Sequence, residues 1–173
     1  MNKRLLSAVT IAFFLAGCAS GVKRAPDTAG SHARVSTPSQ IASVSVSLTD
    51  EAKKKVGENL KFNPDELLNH VKRGLDANSL LGSKDKALPN LEIQVKDMRI
   101  RSNFSAVMWG FMAGADSITA DIVLKDLAGQ ELDRYEVSVS YALGGLGGGQ
   151  DDARMGWLYE KFTEETLKEL TKK

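Results

Sequence analysis

The chain has one cysteine and two histidines among its 173 residues. A lone cysteine closes no disulfide within the chain, and His32 and His70, with no cysteine ligand beside them, make a poor zinc site. No run reaches the ~18–20 apolar residues that a membrane-spanning helix needs. Basic and acidic residues balance at 23 against 22, which leaves no surplus of cations for a phosphate backbone and excludes a general nucleic-acid binder. Serines are plentiful, yet none sits in a G-x-S-x-G elbow or an S-x-x-K motif. The carboxylates Asp97, Asp116, Asp121, Asp126 and Asp133 fall near strand ends with no spacing that forces two together, so they read as solvated edges. No catalytic set, cofactor site or metal site is visible, and the expectation is a protein that is not an enzyme.

What is present begins at the N-terminus. Lys3 and Arg4 precede an apolar run from Leu5 to Leu15, which closes on Leu15-Ala16-Gly17-Cys18. A stretch this short has the form of a secretory leader rather than a membrane span. The tetrapeptide is similar to a bacterial lipobox, which implies cleavage before Cys18 and acylation of its thiol and new amine. Residues 1–17 are therefore read as a lipoprotein signal peptide, and the membrane becomes a partner through the lipid on Cys18. Each buried CH₂ of such chains contributes about 0.8 kcal/mol, so several chains hold permanently. Ala19, in place of the Asp that resembles an inner-membrane retention signal, points to the cell outer membrane, with the domain facing the periplasm.

Residues 18–39 are rich in Ser, Ala, Gly and Pro without apolar periodicity and read as a flexible, lipidated tether. Residues 40–173 read as one α+β domain. Val44, Val46 and Leu48 alternate with serines, the period of a half-buried strand. Residues 51–62 follow as a polar connection with a short helical turn. Asn63-Pro64-Asp65-Glu66 is a helix start, with Asn as cap, Pro in the first turn and Glu66 three residues on. Leu67, Leu68, Val71 and Leu75 then share a face over about 64–78, and Gly74 in this helix implies tight packing against a strand.

Leu91, Ile93 and Val95 alternate and then lose phase before Met98 and Ile100, which places a bulge near Asp97. Two further alternating runs, Ile118 to Leu124 and Tyr135 to Tyr141, flank a Gly-containing turn at 126–130 and form an antiparallel hairpin. Met155, Leu158, Phe162, Thr166 and Leu170 mark a closing helix, with Asp151 and Asp152 at its positive end. The Gly-rich run 144–149 before it has no phosphate-loop register, and those two carboxylates occupy the position an anion would take, so it reads as a hinge. The order is β-α-β-β-β-α: a two-layer sandwich, a mostly antiparallel sheet with two helices on one face.

The most apolar run, Ser105 to Ser117, sits where a polar turn belongs. Met108, Trp109, Phe111 and Met112 either continue the hairpin under a helix or project as a tip for a partner protein or a bilayer surface. Core packing suits Trp109 and Phe111, and the flexible thioethers of Met108 and Met112 suit adaptable contacts. Arg99 and Arg101 alternate just before this run and read as solvated, or as contacts for an anionic partner or headgroup. Gly110-Phe111-Met112-Ala113-Gly114, the strand from Ile118 to Leu124, Asp126, Gly129 and Gly144 to Gly149 together resemble an uncharacterised bacterial lipoprotein family, domain of unknown function 4410. Met112 departs from the Gly usual there. The resemblance implies a fold and an address but no activity. The functional expectation is an envelope adapter or assembly factor acting through protein–protein contacts, with a binder of a small or lipidic ligand in a sheet–helix groove as the alternative.

Overall fold

The computed structural model describes residues 20–24, 40–58, 61–83, 88–102, 114–142 and 151–172. Strands β1 (Ser20–Lys23), β2 (Ser43–Leu48), β3 (Asn90–Arg99), β4 (Asp116–Lys125) and β5 (Glu131–Tyr141) form one sheet in the order β1-β5-β4-β3-β2. Helices α1 (Asp50–Glu58), α2 (Pro64–Ala77) and α3 (Asp151–Thr171) complete the α+β fold.

The β4–β5 hairpin is antiparallel as its two alternating runs demand, with Ile122 opposite Tyr135 and Ala120 opposite Val137. β3 adds antiparallel to β4, and the phase slip read from the sequence is a register shift between Val95 and Asp97. The bulge returns Met98 to the core side after Val95, and both are buried. β2 joins β3 in parallel, the one parallel pairing among the described strands, with α1 and α2 as its crossover.

Helix α2 starts where Asn63 places it. The Asn63 side chain accepts from the backbone N–H groups of Asp65 at 2.9 Å and Glu66 at 3.3 Å. Leu67, Val71 and Leu75 are fully buried on its inner face, against Ile93, Ile122 and Val137 of the sheet and Leu158 and Phe162 of α3 in one core. Burying a side chain such as Phe162 stabilises by about 1.5–3 kcal/mol. The other sheet face is polar and crossed by ion pairs, with Lys96 Nζ lying 2.6 Å from both Asp121 and Glu136.

Three readings change. Ser20–Lys23 lies within the stretch read as a flexible tether, yet it is an edge strand antiparallel to β5. One short segment with a single apolar residue carries no legible period, and the long-range pairing decides its state. Where residues 51–62 read as a polar connection with a short helical turn, the helix is longer and runs for nine residues, Asp50–Glu58. Thr49 Oγ1 accepts from Ala52 N at its start, and Ala52 and Val56 supply just enough apolar surface to dock it. Gly74 packs against a helix, not a strand: a Cβ there would stand 2.5 Å from Thr163 Cγ2 of α3. Among the described residues no helix is long and apolar enough to cross a membrane.

Candidate functional site: the sheet end that holds two loop roots

The antiparallel register brings the end of β3, the start of β4 and the end of β5 to one end of the sheet, and α3 begins there too. Ser102, Gly114, Ala142 and the first turn of α3, which flank the segments 103–113 and 143–150, all lie at this end. Two buried arginines and one buried aspartate fasten these four points. Asp116 Oδ1 accepts from Arg101 N at 2.7 Å and from Arg101 Nε at 3.3 Å. Asp116 Oδ2 accepts from Arg101 Nη2 and from Arg154 Nη1, each at 3.1 Å. Arg101 Nη1 donates to the carbonyls of Gly114 at 2.9 Å and Ala142 at 3.3 Å. Arg101 Nη2 donates to Tyr141 O, and Arg154 Nη2 to Arg101 O, both at 3.3 Å. The three side chains are 1–2 % exposed.

Guanidinium groups suit this task because their planar, multi-donor form holds a carboxylate and several carbonyls at once. At the same end Gly114 has φ +87°, and a Cβ there would lie 2.7 Å from Arg99 Nη1. The position therefore demands glycine for its backbone and for its close neighbour. Trp157, partly exposed on α3, lies over Tyr141 with ring centroids 5.4 Å apart.

This arrangement corrects the reading of Arg101, which is not a solvated contact for an outside partner but a buried clamp. Arg99 remains exposed beside Gly114. Asp116 is likewise not a solvated edge. Asp121 pairs with Lys96, Asp133 with Arg24 and Asp97 with Lys55, while Asp126 accepts from Gln130 N inside the hairpin turn. The aspartates singled out in the sequence thus serve separate structural contacts. Arg154, just before the apolar stripe of α3, is a functional residue that the sequence reading does not single out. Its spacing is the signal that identifies it, since it lies four and eight residues before buried Leu158 and Phe162. Cys18, Met108, Trp109, Phe111 and Met112, with the Gly-rich run 144–149, lie outside the described residues.

A polar groove of about 640 Å³ opens between the N-terminal halves of α2 and α3, lined by Asn63, Glu66, His70, Arg73 and Asp152 among others. It lies between helices, while the described apolar residues of α2, α3 and the sheet pack into one core. His70 sits at its wall, 5.6 Å from the Tyr159 ring. Partial burial and the nearby Arg73 charge hold its pKa below the ordinary histidine value. Burial pushes the Tyr159 phenol up to about 12, and its oxygen accepts from Asn63 N at 2.8 Å.

The fold and this end define a small α+β domain with an open mixed sheet. The chain belongs to the family described as a domain of unknown function, DUF4410, whose model matches residues 26–145. No curated protein matches the chain. Among the solved structures similar to it are two from Paraburkholderia phytofirmans. The PelC dodecamer shares 10% identity at a TM-score of 0.47, over 84% of this chain and 94% of that one. A leucine-to-methionine variant of that dodecamer shares 13% identity at a TM-score of 0.43 with the same coverage. Likeness at this level carries no argument about assembly or role.

Proposed function

We propose that the protein is an outer-membrane lipoprotein, acylated on Cys18, whose periplasm-facing domain works as an envelope adapter or assembly factor through protein–protein contacts and catalyses no reaction. The observation that supports this reading is the clamp of Arg101, Asp116 and Arg154. It fixes side by side the roots of the segments 103–113 and 143–150, which hold Met108 to Met112 and the Gly-rich run 144–149, a rigid mount for segments that contact a partner. The clamp carboxylate binds both guanidinium groups, and these also hold backbone carbonyls, which suits a mount more than a reacting centre.

A photo-crosslinking residue placed at Met108 or Met112 in intact cells tests it. The expected result is one discrete protein adduct from those positions and none from Leu127 at the opposite end of the sheet. Met108→Asp and Met112→Asp should each abolish co-purification of that protein. Adducts equally abundant from Leu127, or insensitive to both substitutions, would overturn the adapter reading.

A further inference from the structure

We propose that the sheet end carrying Ser20, Tyr141 and Trp157 is seated on the surface of the bilayer that holds the anchor. The inference rests on acylation of Cys18, as proposed above, and adds to it an orientation and a contact surface. Consecutive Cα atoms are 3.8 Å apart, so two peptide units keep Cys18 within about 8 Å of Ser20. That short reach matters because Ser20 belongs to the sheet and not to a spacer.

The direction follows from the register. Ser20 stands opposite Val139 and Lys23 opposite Glu136, so Ser20 is the end of β1 that lies toward Tyr141. β1 is held against swinging away. Ser20 Oγ donates to Glu165 of α3 at 3.1 Å, and Arg24 reaches Asp133 at 2.6 Å and Glu169 at 2.8 Å. The Arg24 guanidinium also lies 4.9 Å from the Tyr135 ring centroid.

Trp157 provides the second, independent observation. It precedes Glu165, the residue that Ser20 touches, by eight positions, which puts it about 12 Å nearer the Tyr141 end on the same flank of α3. It is 41% exposed, and the other large apolar side chain exposed among the described residues, Leu127, lies in the hairpin turn at the far end. Indole rings partition to the headgroup level of a bilayer, where their apolar body and N–H group are both accommodated. A ten-residue strand such as β4 spans about 33 Å, so Leu127 stands well clear of lipid when Trp157 touches it. The flank between Trp157 and Ser20 is charge-balanced, since Lys161 and Lys168 each pair with both Glu164 and Glu165. The seat therefore depends on the anchor and the indole, not on anionic lipid.

The test uses the mature lipoprotein, purified from membranes as the Trp109→Phe variant and reconstituted into phosphatidylcholine vesicles brominated near the headgroup. Trp157 is then the single indole. Its emission should fall by about twofold, unchanged when a third of the lipid is anionic, as an interfacial indole requires. A second variant, Trp109→Phe/Trp157→Phe/Leu127→Trp, reports the far end and should be unquenched. Mass spectrometry of the same samples reads the acyl chains. Missing acyl mass would sink the lipoprotein reading together with the seat. Acylated protein whose Trp157 is unquenched would overturn the seat alone, and blue-shifted emission without quenching would show protein, not lipid, covering that surface.

Discussion

Arg154 on the first turn of α3 and Asp116 at the start of β4 meet at 3.1 Å, although 38 residues separate them in the chain. With Arg101 on the other side of the carboxylate, the contact joins the last helix to the middle of the sheet at the end where both loops originate. Such a buried group is costly to disturb on one side only, because the partners keep their charge after the carboxylate is gone.

Asp116→Asn should therefore destabilise the domain by about 3–5 kcal/mol, since two buried guanidinium groups would lose their counter-charge. Urea denaturation followed by circular dichroism measures this. Asp121→Asn on the polar sheet face is the control and should cost no more than about 1 kcal/mol, because its partners remain hydrated.

Gly74→Ala should destabilise, although alanine favours an isolated helix by about 1 kcal/mol over glycine. The added methyl meets Thr163 Cγ2, held on a stiff β-branched side chain that donates to Tyr159 O at 2.8 Å. A net loss of about 1–3 kcal/mol is expected from such overpacking. Thr163→Ser removes the offending methyl and keeps the hydroxyl bond, so the double variant should recover most of the loss. Additive effects in that thermodynamic cycle would disprove the contact.

His70 makes stability depend on pH in a defined direction. Its folded pKa lies below the ordinary histidine value of about 6.5, so the unfolded chain binds the proton first. Stability should fall as pH drops below about 7 and level off once the folded form is protonated too. His70→Gln should flatten this part of the profile in denaturation series at stepped pH.

Arg24→Ala should release β1 without unfolding the remainder. Hydrogen exchange is expected to become fast at residues 20–24 while β3, β4 and β5 stay protected. Acid should do the same to the native protein. Burial alone would raise the Glu169 pKa, but the hydrogen bond and charge of Arg24, together with Lys172, outweigh it and hold the carboxyl below the usual glutamate range. The contact therefore persists through that range and is lost only as pH falls through the lower folded value.

Local rules made much of this fold readable in advance. Asn63 with Pro64 marks the α2 start because a cap is satisfied within three residues, and the Asp97 bulge shows as a slip in a period of two. The β4–β5 hairpin needs only its own turn. The clamp is different in kind: Arg101, Asp116 and Arg154 approach only after three strands and a helix have assembled, and no short window contains them. Arg101 looked solvated because alternation alone does not say that Asp116, Arg154 and carbonyls from two strand ends converge on it. β1 was hidden for the same reason, since four residues with one valine take their state from β5 and α3.

The pairing of Ser20 with Val139 bears on the order in which the molecule can form. The first strand cannot find its place until the fifth has been made, a contact spanning most of the polypeptide. A chain made from its amino end thus carries an unclosed sheet until the residues of β5 have been added, and the edge of that last strand stays open until the earliest one returns to it.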